Sequence, residues 1–92
     1  MTDPIESAPA GVATTYAELI ELLEKRRRDL RLSQMEMDER AGLGTSHYSH
    51  LVSWDTKYGR NMGPGTLAKV LDALGVGLVV VSLCEPEKGD LN

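Results

Sequence analysis

The sequence is short of the features that mark disulfide-rich, membrane-spanning and secreted proteins. Cys84 is its single cysteine, which excludes a disulfide within the chain and the usual multi-cysteine zinc cluster. The longest apolar run, residues 76–81 with Gly77 included, is far shorter than the roughly 20 residues that span a bilayer. The first residues combine Asp3 and Glu6 with no basic residue and no apolar run, so they do not resemble a secretory signal. We therefore expect a cytoplasmic protein that does not associate with membranes.

Motifs for catalysis and for cofactor binding are also lacking. Asp55 with a histidine and a serine could supply the residue types of a catalytic triad. However, the sequence has no glycine-flanked serine of the kind that forms a nucleophile elbow. His47 and His50 are spaced to share a metal with Cys84 or Asp55, although such sites normally show a third ligand at a recognisable spacing. The sequence predicts no enzyme, no cofactor and no metal site.

What is present is enough for one small domain with a single core. The chain has 92 residues, of which 41% are hydrophobic and 26% are charged, close to the average for globular proteins. The net charge of −4 is unevenly spread, with −5 in residues 1–24, +4 in residues 25–69 and −3 in residues 70–92. Because charges act over a Debye length of roughly 8 to 10 Å, the basic middle segment can meet phosphates despite the acidic total.

Capping signals and apolar periodicity predict four helices between two tails. We expect tails at residues 1–14 and 85–92, a helical domain at 15–76 and a terminal segment at 77–84. A capping box at Thr15 opens the first helix, which ends near Leu30, and a second box at Ser33 opens a short helix that ends at Gly42. Thr45 or Ser46 caps the third helix, which contains Tyr48, Leu51 and Val52, and the fourth runs from Pro64 to Leu74 before Gly75.

Two features within the helical domain allow both a structural and a functional interpretation. The basic run at residues 25–28 suggests nucleic acid, but Glu21 with Lys25 and Glu24 with Arg28 are spaced for exposed ion pairs near a helix end. Residues 53–63 form a loop of unusual length. Its Trp54 and Tyr58 could stack on bases or sugars, whereas a loop tryptophan more often covers the core.

The β-branched residues near the end of the chain predict a short strand. No second strand is evident in the sequence, so this one has no ladder partner within the chain. We expect two copies to pair in an antiparallel ribbon about a two-fold axis, which makes the protein a homodimer. The alternative is that the segment packs as an extended tail on its own chain. The predicted dimerisation residues are Leu78, Val79, Val80, Val81 and Leu83.

A two-turn helix, a glycine turn and a second helix form a helix-turn-helix unit. The order of residues at 32–37, 41–43 and 48–51, followed by 64–67 and 74–76, resembles the Cro and lambda-repressor-like (XRE-type) family. The resemblance covers residues 16–76 and implies a mostly α, four-helix lambda-repressor-like domain, here with a short C-terminal β-strand. That ending is similar to antitoxin-type members that dimerise through a terminal strand.

The resemblance implies double-stranded DNA as the partner and assigns contact residues by position. The third helix has small or hydrogen-bonding residues near its start, which suits an approach to base edges. The predicted base contacts are Thr45, Ser46, Ser49 and His50. Among the predicted phosphate contacts, Gln34 follows from the resemblance. Independently of it, the charge or hydrogen-bonding capacity of residues near the second helix or in the loop adds Arg31, Lys57, Arg60 and Asn61.

The sequence departs from the family at several positions. Asp38 stands where the family usually has a small alanine, and Tyr48 where isoleucine or valine is usual. Arg27 matches an arginine that often pairs with an acid at the end of the third helix, but Val52 occupies that position, which leaves Asp55 as a candidate partner. We expect a dimeric, sequence-specific transcriptional regulator on a pseudo-palindromic operator. The alternative is a protein-interaction module, an antitoxin or phage-type adaptor, favoured by the net acidity and by Asp38.

Overall fold

The computed structural model describes residues 11–82 and 84, and four helices form the regular structure of this part of the chain. They are α1 (Tyr16–Asp29), α2 (Gln34–Ala41), α3 (His47–Val52) and α4 (Pro64–Leu74). The mostly α class and the four predicted helices are confirmed, with bounds within a residue or two of those expected. None of the helices in the described ranges has the length and apolar character needed to cross a bilayer.

The helix ends follow the predicted capping chemistry closely. The Ser33 hydroxyl accepts from the Glu36 N–H at 3.0 Å, and the Glu36 carboxylate accepts from the Ser33 N–H at 3.0 Å. At α1, the Thr15 hydroxyl accepts from the Glu18 N–H at 3.1 Å, but the Glu18 carboxylate takes the N–H of Thr14 at 3.2 Å. The second capping box is therefore complete, whereas the first closes one residue earlier than predicted.

Two glycines end helices at the positions that the sequence predicts. Gly42 after α2 has φ 70° and Gly75 after α4 has φ 66°, both in the left-handed region where a side chain would be strained. The turn after Gly42 redirects the chain into α3, and α4 is the last helix of the described residues.

The core lies around α2, which contacts both α3 and α4, while α1 packs against α4. Met37 of α2, Tyr48 of α3 and Val70 of α4 are almost fully buried at its centre. Burial of large side chains from three helices fixes their mutual positions, since each contributes roughly 1.5 to 3 kcal/mol when withdrawn from water. The buried cluster comprises Ile20, Leu23, Met37, Ala41, Tyr48, Val70, Ala73 and Leu74.

The long loop at residues 53–63 is held against the helices by hydrogen bonds and by packing. The Arg60 N–H donates to the carbonyl of His50 at 3.1 Å, and the Met62 N–H donates to the Tyr16 hydroxyl at 2.9 Å. Trp54 packs edge-on against Tyr16 with ring centroids 4.9 Å apart and an interplanar angle of 89°. Trp54 therefore covers the core, in agreement with the structural interpretation of this residue.

The predicted C-terminal strand is not formed in the described residues. Residues 77–82 carry neither helix nor strand, and Leu83 lies outside the described residues. A strand requires a ladder partner for its backbone groups, and no other described segment supplies one. The segment is strongly exposed despite its apolar composition, with Val80 at 97% of its full accessibility.

Candidate nucleic-acid interface

The α2–turn–α3 unit buries one side of α3 and leaves the other side open. Tyr48 and Leu51 are each 1% exposed, and their spacing of three residues places both on the face of α3 that meets the core. The preceding turn and the opposite face contain the predicted base-contact residues. Thr45, Ser46 and His50 are exposed, and Ser49 is half-exposed.

The start of α3 is held by a residue of α2. The sequence predicts that Thr45 or Ser46 caps α3. Ser46 occupies the N-cap position, but its side chain makes no capping hydrogen bond. Instead, the Asp38 carboxylate accepts from the Ser46 N–H at 2.9 Å and from the Tyr48 N–H at 2.7 Å. The reason is geometric, because Ser46 adopts φ 61° and Asp38 lies directly beneath the first turn.

Two further contacts fix the exposed face of α3. The Ser49 hydroxyl donates to the Ser46 carbonyl at 2.9 Å, which leaves its oxygen free to accept but turns its proton toward the protein. The hydrogen bond from the Arg60 N–H to the carbonyl of His50 brings the end of the long loop beside α3. His50, Arg60 and Asn61 are all exposed there, so a predicted base contact and two predicted phosphate contacts come together.

The remaining predicted phosphate contacts lie at separate places. Gln34 is the first residue of α2 and is half-buried, while Arg31, two residues before Ser33, is exposed with φ 59°. Lys57 lies in the loop with its Nζ 5.6 Å above the ring of the exposed Tyr58. The structure thus groups Arg60 and Asn61 with α3, places Arg31 and Gln34 at the start of α2, and holds Lys57 apart in the loop.

The basic run of α1 is largely engaged within the fold. The Arg26 Nε donates to the Leu74 carbonyl at 3.0 Å, which ties α1 to the C-terminus of α4. Arg27 donates to the Glu24 carboxylate at 2.6 Å and to the Leu32 carbonyl at 2.6 Å. Arg28 is more exposed and reaches Glu24 at 3.4 Å. These contacts favour the structural interpretation of the run.

The predicted ion pairs are found only in part. The Glu24–Arg28 pair forms at 3.4 Å, but Glu24 is only 8% exposed and its principal partner is Arg27. Asp55 was a candidate partner for Arg27, but it lies exposed while Arg27 bonds Glu24. The cause is the i, i+3 spacing along α1, which brings a planar guanidinium alongside the carboxylate without any contribution from the loop.

The Glu24–Arg27 pair lies beside the buried hydroxyl of Tyr48. Burial alone would raise the pKa of the Glu24 carboxyl, but the hydrogen bonds and charge of Arg27 outweigh it and hold the pKa below its usual range. Burial and the neighbouring Glu24 raise the pKa of Tyr48. No hydrogen-bond partner for the Tyr48 hydroxyl is found in the described part of the chain. Arg27 also donates to the Leu32 carbonyl, so the pair joins α1 to the segment that precedes α2.

No arrangement for metal binding is found in residues 11–82 and 84, where no three histidine, cysteine, aspartate or glutamate side chains converge. A groove of about 750 Å³ lies between one face of α1 and the end of α3, where Trp54 and Asp55 form part of its wall. His47 and His50 do not line this groove. The chemistry brought together by the fold is thus that of the α3 face, rich in hydrogen-bonding groups and flanked by Arg60.

Sequence reasoning missed the role of Asp38. Its only signal was the departure itself, a carboxylate at a position where the resembled family carries a small residue. Comparison of the chain with models of protein families, with curated proteins and with solved structures finds no match.

Proposed function

We propose that this protein binds double-stranded DNA sequence-specifically through the exposed side of α3 and acts as a transcriptional regulator. The observation that carries the proposal is that α3 is buried on one face and exposed on the other. Its inner face is locked by Tyr48 and Leu51, and its outer face presents exposed hydrogen-bonding side chains on a short helix. A short helix with small polar residues at its start can enter the major groove of B-DNA and approach base edges.

Side-chain chemistry separates the residues that would contact bases from those that would contact phosphates. Thr45, Ser46, Ser49 and His50 donate and accept hydrogen bonds and would read bases, because they lie on α3 and on the turn before it. Arg60 and Asn61 lie beside that face, Arg31 and Gln34 lie at the start of α2, and Lys57 lies in the loop. These five residues would contact phosphates. Phosphate contacts set the affinity and its salt dependence, whereas base contacts set the sequence preference.

The two sides of the α3 face differ in charge. On one side, Thr45 shares a cleft of about 210 Å³ with Met35, Asp38 and Glu39, where carboxylates repel phosphate. On the other side, Arg60 is held next to His50 by a backbone hydrogen bond. We therefore expect the DNA backbone to run along the Arg60 side, with Thr45 directed toward the bases.

We further propose that two copies bind together. The side chains of residues 78–81 are 57% to 97% exposed although all four are apolar, and their burial against a second copy would remove this surface from water. Pairing of these segments, with Leu83 included, would form an antiparallel ribbon and relate two α3 helices by a two-fold axis. Such a dimer would read a pseudo-palindromic operator with half-sites about 34 Å apart.

Light scattering after gel filtration tests the dimer. We expect the wild type at twice the chain mass and Val80→Asp at the mass of one chain, because a buried carboxylate opposes the pairing. A monomeric wild type would contradict the ribbon and favour the alternative, in which the segment packs on its own chain.

A protein-interaction module is the second candidate function. The exposed apolar residues 78–81 and the net charge of −4 favour a protein partner over a polyanion. Under this alternative, an antitoxin or phage-type adaptor would use the terminal segment, and the α3 face would be dispensable.

Selection of bound duplexes from a random pool, followed by titration at two ionic strengths, tests the DNA proposal. We expect one enriched sequence and a log affinity that falls by roughly 0.9 per neutralised phosphate for each decade of salt. The triple variant Thr45→Ala, Ser46→Ala, His50→Ala should lose the sequence preference. Ser53→Ala, an exposed serine at the other end of α3, is the matched control and should keep it. An unenriched pool and a flat salt response would overturn the proposal.

A further inference from the structure

Asp38 is a nearly buried carboxylate without a cationic partner in the described structure. It is 7% exposed, and its two oxygens are taken by the backbone N–H groups of Ser46 and Tyr48 at 2.9 and 2.7 Å. No salt bridge to Asp38 is found in the described residues. Because an unpartnered buried charge is costly, these two amides are the groups that make its burial tolerable.

The same two contacts determine where α3 begins. Ser46 has φ 61°, a left-handed conformation that costs a residue with a side chain roughly 1 to 2 kcal/mol. Its N–H points to one carboxylate oxygen, and the other oxygen holds Tyr48 two residues later. One side chain of α2 thus holds both the strained turn at Ser46 and the Tyr48 amide in the first turn of α3.

This arrangement also affects how α3 can approach a ligand. Free amides at a helix start attract phosphate, but the amides of Ser46 and Tyr48 are already occupied by a negative group. Phosphate is therefore disfavoured at the start of α3, and the exposed side chains of Thr45 and Ser46 remain for neutral partners such as base edges.

We propose that Asp38 is a positioning residue that fixes the start of α3 and, through it, the sequence discrimination of DNA binding. The second half of this inference rests on the proposed function, whereas the first does not. A shift of α3 by a fraction of an ångström would weaken directional hydrogen bonds to bases more than it would weaken the charge attraction to phosphates.

The test is a graded series at one position with a matched control. Asp38→Asn keeps one acceptor oxygen and loses the charge, and Asp38→Ala keeps neither. Asp72→Asn removes the same charge from an exposed residue of α4. Each full-length variant is examined by amide hydrogen exchange and by the affinity ratio between the selected duplex and an unrelated duplex.

We expect amide protection at Ser46 and Tyr48 to fall about tenfold in Asp38→Asn and further in Asp38→Ala, since a hydrogen bond to a charged acceptor is worth about that factor. Amides of Ile20 and Val70 should retain their protection. The affinity ratio should fall about tenfold while binding to the unrelated duplex stays constant or tightens. Asp72→Asn should leave the protection and the ratio unchanged.

Equal loss of protection throughout the chain, or an unchanged affinity ratio in Asp38→Ala, would overturn the inference, since either marks a purely structural role. If the wild type binds no DNA, the proposed function and the discrimination by Asp38 fall together. The exchange data then still decide whether Asp38 fixes the start of α3.

Discussion

Glu24 and Asp38 are the charged side chains that the described structure buries, and they are neutralised by different means. Glu24 on α1 meets the guanidinium of Arg27, three residues along the same helix. Asp38 on α2 meets two backbone amides at the start of another helix. The first contact joins residues close in sequence and leaves the exposed face of α3 untouched, while the second crosses a helix boundary and holds that face.

This difference indicates that the contacts that stabilise the fold and the contacts that shape the candidate site lie in different regions of the molecule. The α1 end gathers the Glu24–Arg27 pair, the Arg26 contact to the Leu74 carbonyl and the core, and exposes none of the predicted base contacts. The α2–α3 junction has a strained Ser46 and a carboxylate that shapes an exposed surface. We expect substitutions at the first end to change the free energy of unfolding, and substitutions at the second to change selectivity.

The largest expected effect is that of Glu24→Gln. Removing one partner of a partly buried ion pair leaves Arg27 without a counter-charge, which costs about 1 to 3 kcal/mol. The free energy of unfolding, measured by urea titration, should fall by that amount. DNA binding by the folded fraction should be unchanged.

Two controls sharpen this prediction. Glu21→Gln removes an exposed carboxylate from the same helix and should change stability little. Glu24→Leu combined with Arg27→Met removes the whole pair and should recover most of the loss, because replacing both partners is often close to neutral. A loss below about 1 kcal/mol for Glu24→Gln would indicate a pair that behaves as a surface contact.

Acidification is the next perturbation of the α1 end. Hydrogen bonds from Arg27 hold the pKa of Glu24 below its ordinary value of 4.5 despite burial, so the unfolded chain binds the proton more tightly than the folded chain. The contribution of Glu24 is complete above about pH 4.5 and is lost as the pH falls through the lower folded pKa. Urea titrations between pH 3 and 7 should show this decline. The double variant Glu24→Leu, Arg27→Met should show a shallower one, and equal slopes would contradict the assignment.

Tyr48→Phe tests the contact between the Tyr48 hydroxyl of α3 and the Glu24–Arg27 pair of α1. The Tyr48 hydroxyl is buried beside Glu24 and Arg27 without a hydrogen-bond partner among the described residues. Removing an unsatisfied buried hydroxyl should raise the free energy of unfolding by about 1 kcal/mol. Thermal unfolding measures the change, and a lower melting temperature would mean that the hydroxyl is hydrogen-bonded in solution.

The smallest expected effect concerns single cations at the two ends. Arg60→Gln and Lys25→Gln each remove one exposed positive charge, beside α3 and on α1 respectively. Arg60→Gln should lower the slope of log affinity against log salt by about 0.9, the value of one phosphate contact. Lys25→Gln should leave the slope nearly unchanged. Equal effects would show that general charge, rather than the α3 face, determines binding.

Local chemistry explains which features could be predicted from the sequence. The bounds of α2 and α4 followed from Ser33, Gly42, Pro64 and Gly75, because caps act on backbone groups within a few residues. The cap of α3 could not be predicted this way, since Asp38 reaches amides eight and ten residues later. Recognising it requires the packing of α2 against α3, which no local pattern contains.

The same limit applies to Glu24 and to the terminal segment. The Glu24–Arg27 spacing is visible in the sequence, but whether the pair is buried depends on what packs beside α1. The apolar pattern of residues 78–81 predicts a strand, but no segment among the described residues pairs with it. The periodicity of a segment indicates which secondary structure it favours. It does not identify the segment that packs against it or pairs with it.

Amide chemical-shift mapping with the selected duplex tests whether the protein binds DNA through α3. We expect the largest shifts on adding DNA at Thr45, Ser46 and His50, with smaller shifts at Arg60 and Asn61. Val80 and the α1 amides should remain unperturbed at constant protein concentration. Shifts concentrated on residues 78–82, or no shifts at saturating duplex, would contradict binding through α3.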